Sequence, residues 1–172
     1  DADFYEQTIL KGYEKKTDGR LVSYILGKEN LEQCHQIARW AKGQGLAYKE
    51  LYWTGWEIPS LNEHLNGFFH ISVPEWLNAI RNAEYVLTNS FHCAVFAILF
   101  RKKFMVLNNP SGGLDRILTL LGLLRLKQRY LSDLIQSDRL LERLENPIDY
   151  ERVQKDLEAC RKDSLAFLVN IR

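Results

Sequence analysis

Apolar residues in this chain fall into short blocks whose spacing switches between that of strands and that of helices. Leu21, Val22, Tyr24, Ile25 and Leu26 form one run closed by Gly27. A continuous run of this length fits a parallel strand buried on both faces. From Asn30 the spacing becomes helical: Leu31, Cys34, Ile37, Ala38 and Ala41 recur until Gly43 and Gly45, with Asn30 placed to cap the start. Leu46 to Trp53 predicts the next strand. Strand, helix and strand within about thirty-five residues is the size of a β-α-β crossover.

The stretch 54–73, TGWEIPSLNEHLNGFFHISV, has no regular period. No Lys or Arg occurs from Leu51 through Ile80, whereas Glu57, Glu63 and Glu75 are acidic and Trp53, Trp56, Phe68 and Phe69 are aromatic. Loops this long are often functional. Ser72 and Glu75 make a capping box with Pro74 in the first turn, and Trp76, Leu77, Ile80 and Ala83 line one helical face. A strand through Tyr85, Val86 and Leu87 follows and stops at the polar cluster Thr88, Asn89, Ser90. Then come an apolar helix from Phe91 to Phe100, a strand from Phe104 to Leu107, a turn from Asn108 to Gly113 and a helix from Leu114 to Leu123.

Past Leu124 the helices become charged. Asp138 to Leu144 is short and ends before Pro147; Tyr150, Val153, Leu157, Cys160, Ser164 and Phe167 mark one face of a long terminal helix. The alternation predicts an α/β fold, a Rossmann-like, doubly wound and mostly parallel sheet. Residues 1–17, polar with a few aromatics, read as a linker or incoming arm, leaving 18–172 as the domain.

At 172 residues with 46% hydrophobic content, one domain with a sizeable core is expected and a disordered chain is excluded. The formal net charge of +1 provides no global field for nucleic acid or an anionic membrane, so any anion site must be local. Cys34, Cys93 and Cys160 are an odd number, widely spaced on expected helices, which fits a reducing compartment. No run is long enough to span a bilayer, and DADFYEQTIL lacks the basic and apolar regions of a signal peptide, so a cytoplasmic protein is expected. The start at Asp1 suggests a piece of a longer polypeptide.

The candidate chemistry sits in the strand-turn-helix-strand unit 84–107. It puts Ser90 and His92 at the start of a helix, at the carboxyl end of a strand. Free backbone N–H groups and the positive end of the helix dipole favour an anion there, and open parallel sheets bind ligands outside the carboxyl ends of their strands. Arg116 would approach from the next carboxyl-end loop, where Gly112 and Gly113 allow close backbone approach. Each residue also has a plain reading: His92 bonded to a local carbonyl, Ser90 as an N-cap, Arg116 as a solvated helix residue. His35, His64 and His70 show no metal spacing, and no metal site is expected. Trp53, Trp56, Phe68 and Phe69 read as loop core, the cysteines as helix-face fillers, and Arg101, Lys102 and Lys103 as a solvated turn.

The string SVPEWLNAIRNAEYVLTNSFHCAVFAILFRKKFMVLNN, followed by GLDRILTLLGLLRLKQRYL, resembles the carboxyl-terminal domain of the polysaccharide pyruvyl transferase family. The resemblance is carried by a helix ahead of a strand ending in T-x-S-F-H, a short apolar helix, a strand, and a D-R-I helix leading to L-L-x-x-L-G-L. It runs from about Ser72 to Tyr130 and is weaker from Arg20 to Trp53. It implies a lobe like the second one of GT-B glycosyltransferases, with an amino-terminal lobe outside this chain. It also implies transfer of a pyruvyl group from phosphoenolpyruvate to two sugar hydroxyls of a surface polysaccharide, with no cofactor beyond that donor substrate. By the same resemblance, Ser90, Phe91 through its backbone and His92 hold the donor's anionic groups, with Arg116 a second anion contact and Asn89 and Ser111 beside them. His92 is the catalytic candidate, as acid or as phosphate clamp. Cys93 stands where the family usually has Gly. The saccharide acceptor would be met largely by the other lobe, with the acidic aromatic loop from Trp53 to Phe69 as a rim. Two other readings share this architecture: a nucleotide-sugar-binding lobe of a GT-B glycosyltransferase, and a non-catalytic domain that keeps the fold.

Overall fold

The computed structural model describes residues 1–27, 30–51, 71–109, 112–132 and 139–169. Five strands form one sheet: β1 (Leu21–Tyr24), β2 (Tyr48–Leu51), β3 (Tyr85–Thr88), β4 (Lys103–Leu107) and β5 (Tyr130–Leu131). Their order is β2-β1-β3-β4-β5, and every neighbouring pair is parallel. The mostly parallel α/β, Rossmann-like sheet expected from the sequence is therefore present. Its order reverses between β1 and β3, where Leu21 pairs with Tyr85 and Tyr24 with Thr88. That reversal is a topological switch point, and the crevice beyond the carboxyl ends of the two strands is where ligands bind in sheets of this kind.

Seven α-helices and a 3-10 turn (Lys127–Arg129) accompany the sheet among the described residues: α1 (Ala2–Gln7), α2 (Leu31–Gly43), α3 (Val73–Asn82), α4 (Phe91–Leu99), α5 (Leu114–Leu123), α6 (Leu140–Glu145) and α7 (Tyr150–Val169). The pleat divides the strand side chains between two cores. On one face Val22, Leu51, Val86, Phe104 and Val106 pack with Ile80 of α3, Ala94 and Ile98 of α4, Ile117 and Leu121 of α5, and Val153 of α7. On the other, Leu21, Tyr85, Leu87, Met105 and Leu107 pack with Ile37 and Ala41 of α2 and Leu140 and Leu144 of α6. Both faces of the sheet are covered, which is why β3 and β4 read as unbroken apolar runs.

The local signals held in part. Ser72 and Glu75 form the expected capping box at the start of α3, with Pro74 in its first turn. Asn30 makes no side-chain cap on α2, because its Nδ2 donates instead to Leu26 O at 2.6 Å. On α7 the expected apolar face ends early. Val153 is buried and Tyr150 and Leu157 pack against the core, but Ser164 and Phe167 are exposed, Phe167 by 67%. Of the 101–103 turn only Arg101 is fully exposed. Lys102 Nζ donates to Ala83 O at 2.9 Å, and Lys103 opens β4 with ion pairs to Glu84 and Glu145.

The arm 1–17 contains α1 and is held against the end of α3. Leu10 is 1% exposed, and the ring of Tyr5 meets Phe96 edge-on at 5.0 Å. Arg81 is only 3% exposed; its terminal nitrogens donate to Glu6 Oε2 (2.6 Å), Tyr13 O (3.0 Å), Glu14 O (2.9 Å) and Asn78 Oδ1 (2.6 Å). Among the described residues no helix is long and apolar enough to cross a membrane.

Candidate active site

Helices α4 and α5 both begin just past the carboxyl ends of their strands, β3 and β4, and both lie on the same face of the sheet. Their first turns therefore open at one end of the molecule. Ser90 caps α4: its Oγ accepts from Cys93 N–H at 3.5 Å, and its own N–H donates to Thr88 Oγ1 at 3.0 Å. Among the described residues the Phe91 and His92 N–H groups have no acceptor, so the positive end of α4 is left with donors to offer. α5 starts at Gly113, which has no side chain to cap it and stands at φ 81°, after Gly112 at φ 107°. The loop before it is braced by Asn109, whose Nδ2 donates to Gly112 O at 2.9 Å.

Phe91 joins the two helix starts. Its ring meets that of His92 edge-on at 5.7 Å, and the Arg116 guanidinium carbon lies 5.5 Å from its centre. His92 and Arg116 are both exposed, and neither has an ion pair or side-chain hydrogen bond among the described residues. A cation resting on an exposed aromatic face gains about 0.5–1 kcal/mol, whereas a hydrogen bond to a charged partner contributes about 1.5–3 kcal/mol. Arg116 is thus held in place by a contact weaker than the one an anion would offer it. Asp115, in the same first turn of α5, is the acidic neighbour an incoming anion must approach beside.

Cys93 is completely buried in the core beneath the turn. Burial pushes its thiol up to about 12 against the smaller, opposing effect of the Thr88 hydroxyl. It is a neutral packing group, and its side chain leaves the outward side of the turn open. Tyr24, on the neighbouring β1, is likewise raised by burial and then by Cys93.

Of the residues expected from the sequence, the structure brings Ser90, Phe91, His92 and Arg116 to one edge. Asn89 is at the same turn, but its carboxamide is occupied: Oδ1 accepts from Leu26 N–H at 2.7 Å and Nδ2 donates to Leu26 O at 2.8 Å. Ser111, the loop from Trp53 to Phe69, and His64 and His70 lie outside the described residues. Thr88 is the residue that sequence reasoning passed over. Its Oγ1 donates to Tyr24 O at 2.6 Å while accepting from Ser90 N–H, and a threonine closing an apolar strand was the available signal. No cluster of metal-ligating side chains occurs among the described residues.

The family model for polysaccharide pyruvyl transferase matches residues 22–111, just over half of the chain, and takes in all of β1 but Leu21, together with the switch point and the T-N-S-F-H turn. The chain belongs to the polysaccharide pyruvyl transferase family. No curated protein matches it. The family match ends before Arg116, so the polysaccharide pyruvyl transferase assignment rests on the β1-to-β4 half of the sheet, and Arg116 enters the site through its contact with Phe91.

Proposed function

We propose that this chain is the donor-binding lobe of a pyruvyltransferase that takes phosphoenolpyruvate as donor and forms a pyruvate ketal on a saccharide. The observation that carries this reading is the Arg116 guanidinium seated on the Phe91 ring. It unites the uncapped start of α5 with the free N–H groups of α4, so that two sources of positive potential serve one small volume. Phosphoenolpyruvate has two anionic groups close together and needs such converging donors. In this reading the Phe91 and His92 N–H groups and the His92 ring take one group, and Arg116 takes the other.

The reaction asks little covalent chemistry of the protein. The enol CH2 carbon gains a proton, and one sugar hydroxyl adds to the neighbouring carbon as its own proton departs. The C–O bond to phosphate then breaks, and a second hydroxyl adds in its place with loss of its proton. One hydroxyl proton offsets the proton taken up by carbon; the other leaves with phosphate. Both oxocarbenium-like stages are positive beside a departing dianion, so fixed donors aimed at the phosphate lower the barrier. Histidine changes charge between about pH 5 and 8 and is suited either to deliver the carbon proton or to hold the phosphate.

The test is phosphate release from phosphoenolpyruvate by the full-length protein, with the producing cell's polysaccharide fraction as acceptor. His92→Ala and Arg116→Ala are each expected to lower kcat/KM about 100-fold or more, with melting temperatures near that of the wild type because both side chains are exposed. Calorimetric binding of phosphoenolpyruvate against a nucleoside-diphosphate sugar separates this donor from that of a glycosyltransferase lobe. Preference for the nucleotide would replace the reading.

A further inference from the structure

The turn bearing Ser90 and His92 is tied across the switch-point crevice by buried side chains that bond to β1. Asn89 offers Leu26 a paired acceptor and donor, as a peptide group would, at 2.7 and 2.8 Å. The sheet pairing of β1 with β3 ends at Tyr24 and Thr88, and these bonds carry it two residues further along β1. Leu26 O also receives Asn30 Nδ2 at 2.6 Å, which fastens the start of α2 to the same carbonyl. One residue back, Thr88 Oγ1 bridges Tyr24 O on β1 and Ser90 N–H on the turn, at 2.6 and 3.0 Å. Thr88 and Asn89 are 0% and 2% exposed, so these bonds are shielded from competing water.

These links settle which donors of the turn remain available. Ser90 N–H is taken by Thr88 and Cys93 N–H by the Ser90 hydroxyl, leaving the Phe91 and His92 N–H groups and the His92 ring. Their direction depends on the backbone dihedrals at Asn89 and Ser90, which the bonds to β1 fix before any ligand arrives. We infer that Thr88 and Asn89 are positioning residues of the donor site, acting through the backbone of the β3–α4 turn and not by touching the donor. The inference rests on the proposed function, and it assigns Asn89 a role other than the direct contact expected from its place in the motif.

The experiment uses the full-length protein and phosphoenolpyruvate, with kcat and KM measured beside the melting temperature. Small displacements of a positioned group are costly to rate, so Thr88→Val and Asn89→Ala should each lower kcat/KM for the donor about tenfold or more, through both constants. Thr88→Ser retains the hydroxyl and should stay within about twofold of wild type. Asn89→Asp keeps the acceptor for Leu26 N–H but sets an oxygen against Leu26 O, and should behave like Asn89→Ala. It also serves in place of Asn89→Ala if that variant does not fold. A lowered melting temperature with kcat and KM unmoved would overturn the inference, as would damage from Thr88→Ser equal to that from Thr88→Val. His92→Ala and Arg116→Ala run alongside distinguish the two failures. If they lose turnover while the Thr88 and Asn89 variants do not, only the positioning role falls. If they too are silent, the site reading falls and takes this inference with it.

Discussion

The two ends of the sheet treat charge in opposite ways. At the amino ends of the strands, cations have partners. Arg81 is spent on Glu6, Asn78 and the carbonyls of the arm, Lys102 on Ala83 O, and Lys103 on Glu84 and Glu145. At the carboxyl ends, His92 and Arg116 are exposed, with nothing but the Phe91 ring for company among the described residues. A buried cation such as Arg81 would cost several kcal/mol on losing its acceptors, so it is bound to the fold. An exposed one costs the fold almost nothing. His92 and Arg116 are therefore free for another use, and donor binding is the one proposed for them.

Substitutions at the two ends should give reciprocal results, and this is the strongest way to break the comparison. Arg81→Ala removes a guanidinium that is 3% exposed and four acceptors wide, and should cost about 3 kcal/mol of stability. Donor KM should hardly move, because the damage is at the far end of the strands. His92→Ala should do the reverse, losing turnover at little cost in melting temperature. Urea unfolding and donor kinetics on the same two variants decide it. Should Arg81→Ala raise the donor KM as strongly as His92→Ala, the division between the two ends would not stand.

Gly113→Ala sharpens the comparison on a smaller scale. At φ 81° an alanine is strained by about 1 kcal/mol, and its Cβ would stand 3.4 Å from Arg116 Nη2. A modest fall in stability should therefore accompany a donor KM within about twofold of wild type, because a Cβ at that distance only touches the guanidinium and leaves it on the Phe91 ring. An unchanged melting temperature would mean that the backbone had left the left-handed region.

The β3-α4-β4 unit was legible because each signal in it is local. An apolar strand, a polar turn with a capping serine and an apolar helix follow one another without a gap in the sequence. The role of Asn89 was not legible, since Leu26 lies sixty-three residues earlier and meets it only because β1 pairs with β3. Strand order is a tertiary fact that no window along the chain contains. β5, at two residues, is too short to carry a period. The stripe on α7 failed for geometric reasons. Twenty helical residues reach about 30 Å, while strands of four or five residues reach only about 13–17 Å. The helix outruns the sheet it covers, and Leu165, Phe167, Leu168 and Val169 are exposed among the described residues.

The smallest effect separates the ends by pH. Burial alone would raise the Glu6 carboxyl, but the hydrogen bonds from Arg81 and then Lys15, with their charges, outweigh it and leave the group below its ordinary value. A carboxyl depressed in the folded state contributes stability above its unfolded value, and that contribution fades as pH falls through the lower, folded value. The Glu6 side chain is 26% exposed, so water and salt weaken the effect. Glu6→Gln should therefore lower the melting temperature slightly at neutral pH and by a shrinking amount as the solution is acidified below about pH 4. Added salt should narrow the neutral-pH difference in the same direction. A difference that stays constant from neutral to acid would show that the arm is held by Leu10 and the aromatic contact with Phe96 instead of by charge. The amino end of the sheet would then owe its order to packing, and paired charge there would accompany the fold without securing it.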